Sequence, residues 1–178
     1  LKMDESQREA YSLAINGHNI IITGQAGSGK TFVIKIIVEY LRKSGHKVAI
    51  TTSTGIASLQ YQDLNALTLH KWSGIGDGRY ANGELLHLIN TDERFIACKQ
   101  RILETKVLVI DEISMISSRV LTQVEFLCRK LRDNNFTFGG LGLQVILCGD
   151  FYQLPPVPNE LCGDFGHFCF EAKWFDNF

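Results

Sequence analysis

A chain of 178 residues has the length of one domain and can enclose a sizeable core. Its 45% hydrophobic and 21% charged residues fit an ordinary globular composition, and no apolar run approaches the roughly 20 residues of a helical membrane span. The net charge of −1 excludes a global pull toward nucleic acid or membrane, so any site for a polyanion must be local. No signal-peptide pattern follows Leu1, and the expectation is a soluble piece of a longer protein. The 5 cysteines, Cys98, Cys128, Cys148, Cys162 and Cys169, form no CxxC pair and no zinc spacing with histidine. Scattered among apolar neighbours, they read as reduced, mostly buried thiols of an intracellular setting.

In chain order, Asp4-Glu5-Ser6-Gln7 has the form of a capping box opening a helix that reaches Gly17. "NIIIT", Asn19 to Thr23, reads as a buried strand, followed by a glycine-rich turn and the helix "KTFVIKIIVEYLRK", closed by Gly45. "KVAIT" (Lys47 to Thr51), "VLVI" (Val107 to Ile110) and "LQVIL" (Leu143 to Leu147) are three further strands. A helix through "SRVLTQVEFLCRKLR" lies between the last two. Between Gly74 and Lys106 two short helices are expected, "GELLHLIN" and "ERFIACKQRILE". Strands alternating with helices predict one α/β domain with a doubly wound parallel sheet. Sheets of that kind place ligands beyond the carboxyl ends of their strands, where all the unusual stretches fall.

"GQAGSGKT", residues Gly24, Gln25, Ala26, Gly27, Ser28, Gly29, Lys30 and Thr31, matches GxxxxGK[ST] in full. The glycines let backbone N–H groups approach phosphates closely, and the following helix turns its positive dipole end toward them. Lys30 is placed to reach the β- and γ-phosphates of ATP, and the Thr31 hydroxyl to ligate Mg²⁺. "VLVIDEIS" sets Asp111 and Glu112 directly after apolar strand residues. Asp111 suits a hold on Mg²⁺, and Glu112 can orient or deprotonate an attacking water. Taken alone, such a pair often just caps a helix. In "CGDFYQLPPV", Cys148 to Val157, Gln153 offers donors and an acceptor to a γ-phosphate or water, ahead of the rigid pair Pro155 and Pro156. An isolated glutamine there would read as a solvated turn.

"GQAGSGKT", "TTSTGIAS", "TLHKWSGIG", "VLVIDEISMIS" and "FGGLGLQVILCGDFYQLPPV" occur in this order. The set, with the tail "FCFEAKWF", resembles the Pif (petite integration frequency) family of superfamily-one DNA helicases, relatives of RecD. The resemblance covers nearly all of residues 1–178 and implies a P-loop NTPase with a RecA-like sheet, the first motor domain of a helicase. It implies Mg-ATP as cofactor, and translocation on single-stranded DNA, five-prime to three-prime, with unwinding of duplex or fork DNA. Roles in repair, recombination or telomere maintenance go with it, as does a monomer in the nucleus, mitochondrion or bacterial cytoplasm, away from membranes.

By the same resemblance Gln7 matches an adenine-reading glutamine, although its capping box explains it equally well. Gln153 matches the glutamine that contacts the γ-phosphate and links nucleotide state to the DNA track. "TTSTGIAS" and "TLHKWSGIG" resemble motifs along the strand path, so Thr52, Thr54 and Gly55 are candidates for phosphate contacts, and His70 and Trp72 for sugar or base. An ordinary core tryptophan and surface histidine are equally consistent with the last two. Two departures stand out: Ser53 replaces a proline of the family's "TAPTGIAA", and "FGGLGLQ" is two residues longer than usual, which predicts a longer turn before the last strand. A second RecA-like domain, a wedge insert and an SH3-like insert should follow, with the arginines that complete the ATP site. Without them the fragment should hydrolyse ATP slowly at best and unwind nothing. Two other readings stay open: a small-molecule P-loop kinase with residues 74–106 as its lid, and a nucleotide-dependent interaction module without motor activity.

Overall fold

The computed structural model describes residues 2–25, 29–151, 156–162, 164, 166–169 and 175. Among the described residues the chain runs α1 (Glu5–Ile15), β1 (Ile20–Thr23), α2 (Lys30–Lys43), β2 (Val48–Thr52) and the short α3 (Gly55–Ser58). A 3₁₀ stretch, Leu59–Leu64, then leads into β3 (Leu67–Thr68) and α4 (Leu69–Ser73). α5 (Asn82–Thr91), α6 (Ile96–Glu104), β4 (Val107–Asp111), α7 (Ser118–Leu131) and β5 (Gln144–Gly149) complete the fold. The strands form one parallel sheet in the order β1-β5-β4-β2-β3. No helix is long and apolar enough to cross a membrane.

The four expected strands are all present. The fifth, β3, is a two-residue edge strand beside Thr51 and Thr52, too short to leave a periodic signal in sequence. β4 gains Asp111 as its last residue, so the carboxylate leaves from the end of the sheet rather than from a loop. The helices expected from Gly83 and Glu93 form, the second opening as a 3₁₀ turn at Glu93–Phe95 before α6. The longer turn before the last strand is the Thr137–Gly142 stretch, where Phe138, Gly139 and Gly140 all take positive φ.

Alternation along each strand divides the apolar residues between two layers. Val107, Val109, Ile146 and Cys148 face α1 and α2, joining Ala14, Ile34, Ile37 and Leu41. Leu108, Ile110, Val145 and Leu147 face the other side, joining residues of α4 to α7. On α7, Leu121, Val124, Leu127 and Cys128 form one buried stripe at helical spacing. Each fully buried aliphatic side chain of this kind contributes about 1.5–3 kcal/mol. Burial pushes the Cys128 thiol up to about 12, which suits the inert, reduced thiol expected.

Candidate nucleotide site and strand path

The sheet order places β5 between β1 and β4. The loop after β5, the phosphate loop after β1 and the acidic turn after β4 therefore open side by side at one edge. Gly149 ends β5, and a Cβ there would lie 2.9 Å from Ile113 Cγ2 and 3.1 Å from Ile113 N. Only glycine lets the two turns approach this closely, because the second contact is backbone and cannot yield. Gln153 itself, like Pro155, lies outside the described residues.

Of the phosphate loop, Gly24, Gln25, Gly29, Lys30 and Thr31 are described; Ala26, Gly27 and Ser28 are not. Gly29 stands before α2 at φ +85, and no side chain caps the helix. The first N–H groups of α2 are thus left for a ligand, and the helix dipole favours an anion. Lys30 folds back, its Nζ donating to the carbonyls of Gly24 at 2.6 Å and Gln25 at 2.7 Å. Those carbonyls hold the ammonium where phosphate oxygens can replace them.

The capping-box reading of Gln7 is borne out by its contacts. Asp4 and Gln7 form the capping box, Gln7 N donating to Asp4 Oδ1 at 2.8 Å and Asp4 N to Gln7 Oε1 at 2.9 Å. The remaining amide, Nε2, donates to Gly29 O at 3.3 Å. A cavity of about 420 Å³ opens here between α1, β1 and the start of α2, lined by Gln7, Ala10, Leu13, Ile22, Gly29 and Lys30. The capping box therefore orients Gln7 over a partly apolar slot beside the phosphate loop.

Asp111 is buried and held at both oxygens. Its Oδ1 accepts from Glu112 N at 2.7 Å, and its Oδ2 accepts from the Tyr61 hydroxyl. The Thr31 hydroxyl donates to Gln60 Oε1 at 3.0 Å and also bears on the Tyr61 hydroxyl. Thr31 and Asp111 thus belong to one cluster of oxygens. Burial, then the Asp111 charge, raises the Tyr61 phenol and the Cys148 thiol well above their ordinary values. Both therefore stay protonated at neutral pH. Hydroxyl and carboxylate are hard donors of the kind Mg²⁺ takes, one or two at a time, with phosphate and water filling its other positions.

Glu112 takes left-handed backbone angles, φ 55 and ψ 42, which cost a residue with a Cβ about 1–3 kcal/mol. Its half-buried side chain points toward Ser53, whose hydroxyl lies 3.4 Å from Oε2. The serine that replaces a proline of the family pattern thus puts a donor beside this carboxylate.

The candidate strand contacts divide. Thr54 caps α3, its hydroxyl accepting from Ala57 N at 3.2 Å, and Gly55 and Ile56 beside it are exposed. Thr54 and His70 share a cavity of about 400 Å³ with Met115, Arg119 and Pro156. Burial lowers His70 from 6.5, so at pH 7 it meets a ligand as a neutral ring. Two expectations need correction. Trp72 is 1% exposed, because Leu69, Trp72 and Ser73 share the inner face of α4; its indole belongs to the core and cannot stack on a base. Thr52 is fully buried and donates its hydroxyl to Thr54 O at 2.8 Å; it shapes the turn and does not face solvent. The basic residues near the end of α7 have structural work: Arg129 pairs with Glu125 at 3.0 Å, and Arg132 donates to the carbonyls of Ile102, Thr105 and Gly142.

The model of the PIF1-like helicase family matches residues 2–164. The chain belongs to the PIF1-like helicase family. It is 39% identical over 173 residues to the ATP-dependent DNA helicase Pif1 of Psychrobacter sp. (strain PRwf-1), covering 96% of this chain and 25% of that protein. It is 37% identical over 171 residues to the ATP-dependent DNA helicase RRM3 of Saccharomyces cerevisiae, covering 95% of this chain and 22% of that one. The crystal structure of Pif1 helicase from Candida albicans superposes with TM-score 0.87 at 34% identity, over 99% of this chain and 38% of that chain. Pif1 helicase from Bacteroides in complex with ADP-AlF3 and ssDNA superposes with TM-score 0.79 at 32% identity, over 99% of this chain and 40% of that chain. The PIF1-like chain therefore spans about a quarter of the curated relatives' length, and its five-stranded parallel sheet is the RecA-like sheet of Pif1 helicases.

Within this PIF1-like site, sequence reasoning missed Gln60, Tyr61 and the contact between Ser53 and Glu112. "SLQYQDLN" has no period and no motif. A lone tyrosine among polar residues gave no sign that its hydroxyl reaches Asp111, 50 positions away.

Proposed function

We propose that residues 1–178 are the first RecA-like motor domain of an ATP-dependent DNA helicase, binding and hydrolysing Mg-ATP to drive movement along single-stranded DNA. One observation carries the reading: Lys30 and Thr31, Asp111 and Glu112 converge at the carboxyl ends of β1 and β4, with β5 between them. The nucleotide's base enters the slot beside Gln7, and its phosphates meet the uncapped start of α2. Lys30 leaves the Gly24 and Gln25 carbonyls for the β- and γ-phosphates. Thr31 and Asp111 would hold Mg²⁺, which supplies charge neutralisation for the transferring phosphoryl group. Glu112 orients the attacking water and accepts its proton. Gln153, on the loop from β5, reports the γ-phosphate to the strand path.

That path runs over Thr54, Gly55 and His70, with single-stranded DNA held through phosphate and sugar. Two structures of Pif1 from Bacteroides are described with single-stranded DNA, and another structure concerns two coordinating Pif1 helicases at forked duplex; this chain's partners are taken to be a single strand and a fork. A second RecA-like domain, supplied by the longer protein, adds the arginines of the ATP site and the alternating grip needed for unwinding. The whole motor acts as a monomer, in the nucleus, mitochondrion or bacterial cytoplasm, in repair, recombination or telomere maintenance. The kinase alternative finds no support, because the segment it would use as a lid buries Leu85, Ile89 and Ile102 in the core.

The test is ATP hydrolysis by the full-length protein with and without a single-stranded oligonucleotide. The expected result is DNA-stimulated phosphate release. Release indifferent to DNA would favour an interaction module, and phosphate transferred to a nucleoside would favour a kinase.

A further inference from the structure

The 3₁₀ stretch Leu59–Leu64 touches both side chains assigned to the cation. Gln60 Oε1 accepts from the Thr31 hydroxyl at 3.0 Å, and the Tyr61 hydroxyl donates to Asp111 Oδ2. We propose that Gln60 and Tyr61 are positioning residues for the divalent cation, aiming Thr31 and Asp111 at it from behind; this rests on the ATP-site reading above.

A hydroxyl ligates a cation through a lone pair, so its proton must point elsewhere. Left alone, a threonine hydroxyl rotates freely. Gln60 takes the proton, and the lone pairs of Thr31 stay turned away from it. For Asp111 the need is different, because a carboxylate can rock about its Cβ–Cγ bond. Here Glu112 N holds Oδ1 at 2.7 Å and Tyr61 holds Oδ2, with the Cys148 thiol beside the same carboxylate, which fixes the plane and leaves the carboxylate a lone pair for the cation.

Tyr61 is suited to act as a fixed point. Its side chain is fully buried and belongs to the layer that includes Ile50, Val109 and Cys148. The backbone breaks helical geometry at Tyr61, with φ −119 and ψ 25. Tyr61 turns inward while Gln60 and Gln62 on either side remain exposed. Packed interiors hold a ring in one orientation, and the phenol oxygen therefore defines where the Asp111 carboxylate sits. Partners that orient metal ligands in this way are commonly worth about 10- to 100-fold in metal affinity.

A buried tyrosine also needs some partner for its hydroxyl, and the experiment must separate that bland role from positioning. A fluorescent ADP derivative is titrated into this chain in EDTA and across a magnesium series, with folding checked by thermal melt. For Tyr61→Phe, the half-saturating magnesium concentration should rise about tenfold, with affinity in EDTA unchanged. Gln60→Ala, at an exposed position, should shift the same curve in the same direction, and Gln62→Ala should leave it unmoved. If Tyr61→Phe folds and gives the wild-type magnesium curve, or loses affinity equally in EDTA and magnesium, the proposal is overturned while the nucleotide site stands. Should Tyr61→Phe not fold, Gln60→Ala decides by the same criterion. A wild-type chain that binds no nucleotide at all would remove the ATP-site reading, and this proposal with it.

Discussion

Glu112→Gln should lower ATP turnover by the full-length protein about 100- to 10,000-fold, the range for loss of a general base, with ATP binding held within about twofold. Glutamine keeps the shape of glutamate and can keep the contact with Ser53. What it loses is the capacity to take a proton from water. The backbone supports that role: a left-handed φ of 55 at Glu112 is an avoidable cost unless the carboxylate must point where it does. Beside it, Asp111 is enclosed by Tyr61 and Glu112 N, the arrangement proposed above for holding the cation. Steady-state kcat and KM measured at saturating single-stranded DNA decide the matter. A variant that kept more than about a tenth of wild-type turnover would take Glu112 out of the base role.

Lys30→Ala should weaken ATP binding about 100-fold. The ammonium makes bonds to two charged phosphates, each worth about 1.5 kcal/mol or more, and every 1.4 kcal/mol is about tenfold in affinity. Stability should change little, because among the described residues Lys30 bonds to carbonyls of its own loop, Gly24 and Gln25. Calorimetric titration with ATP, paired with a thermal melt, separates the effects. Retained affinity would mean that the phosphates lie elsewhere; a large fall in melting temperature would mean that Lys30 chiefly braces the loop.

Much of this site was legible because its chemistry is local in sequence. Eight contiguous residues carry the proposed phosphate-binding motif, and the acid pair directly after an apolar run lies at the end of β4. The elements were legible for the same reason, since α2 and α7 carry their own periodicity, with Gly45 closing α2 and Ser117 capping α7. What sequence could not supply was the relative rotation of short pieces. α4 has five residues, and whether its tryptophan or its histidine faced inward depended on docking, which put Leu69 and Trp72 in the core and left His70 at the cavity. β3 has two residues and exists by pairing with β2. Tyr61 meets Asp111 because the 3₁₀ stretch breaks at that residue, a turn that no local propensity announces.

The central claim is that nucleotide state governs a strand path on this domain, and the most direct measurement is equilibrium binding of a labelled single-stranded oligonucleotide to this chain. The titration is run at low and moderate salt, with and without a non-hydrolysable ATP analogue. Binding should change with the analogue and weaken steeply as salt rises, the mark of phosphate contacts. Binding that ignores the nucleotide, or no binding at either salt, would contradict a coupled strand path through Thr54, Gly55 and His70.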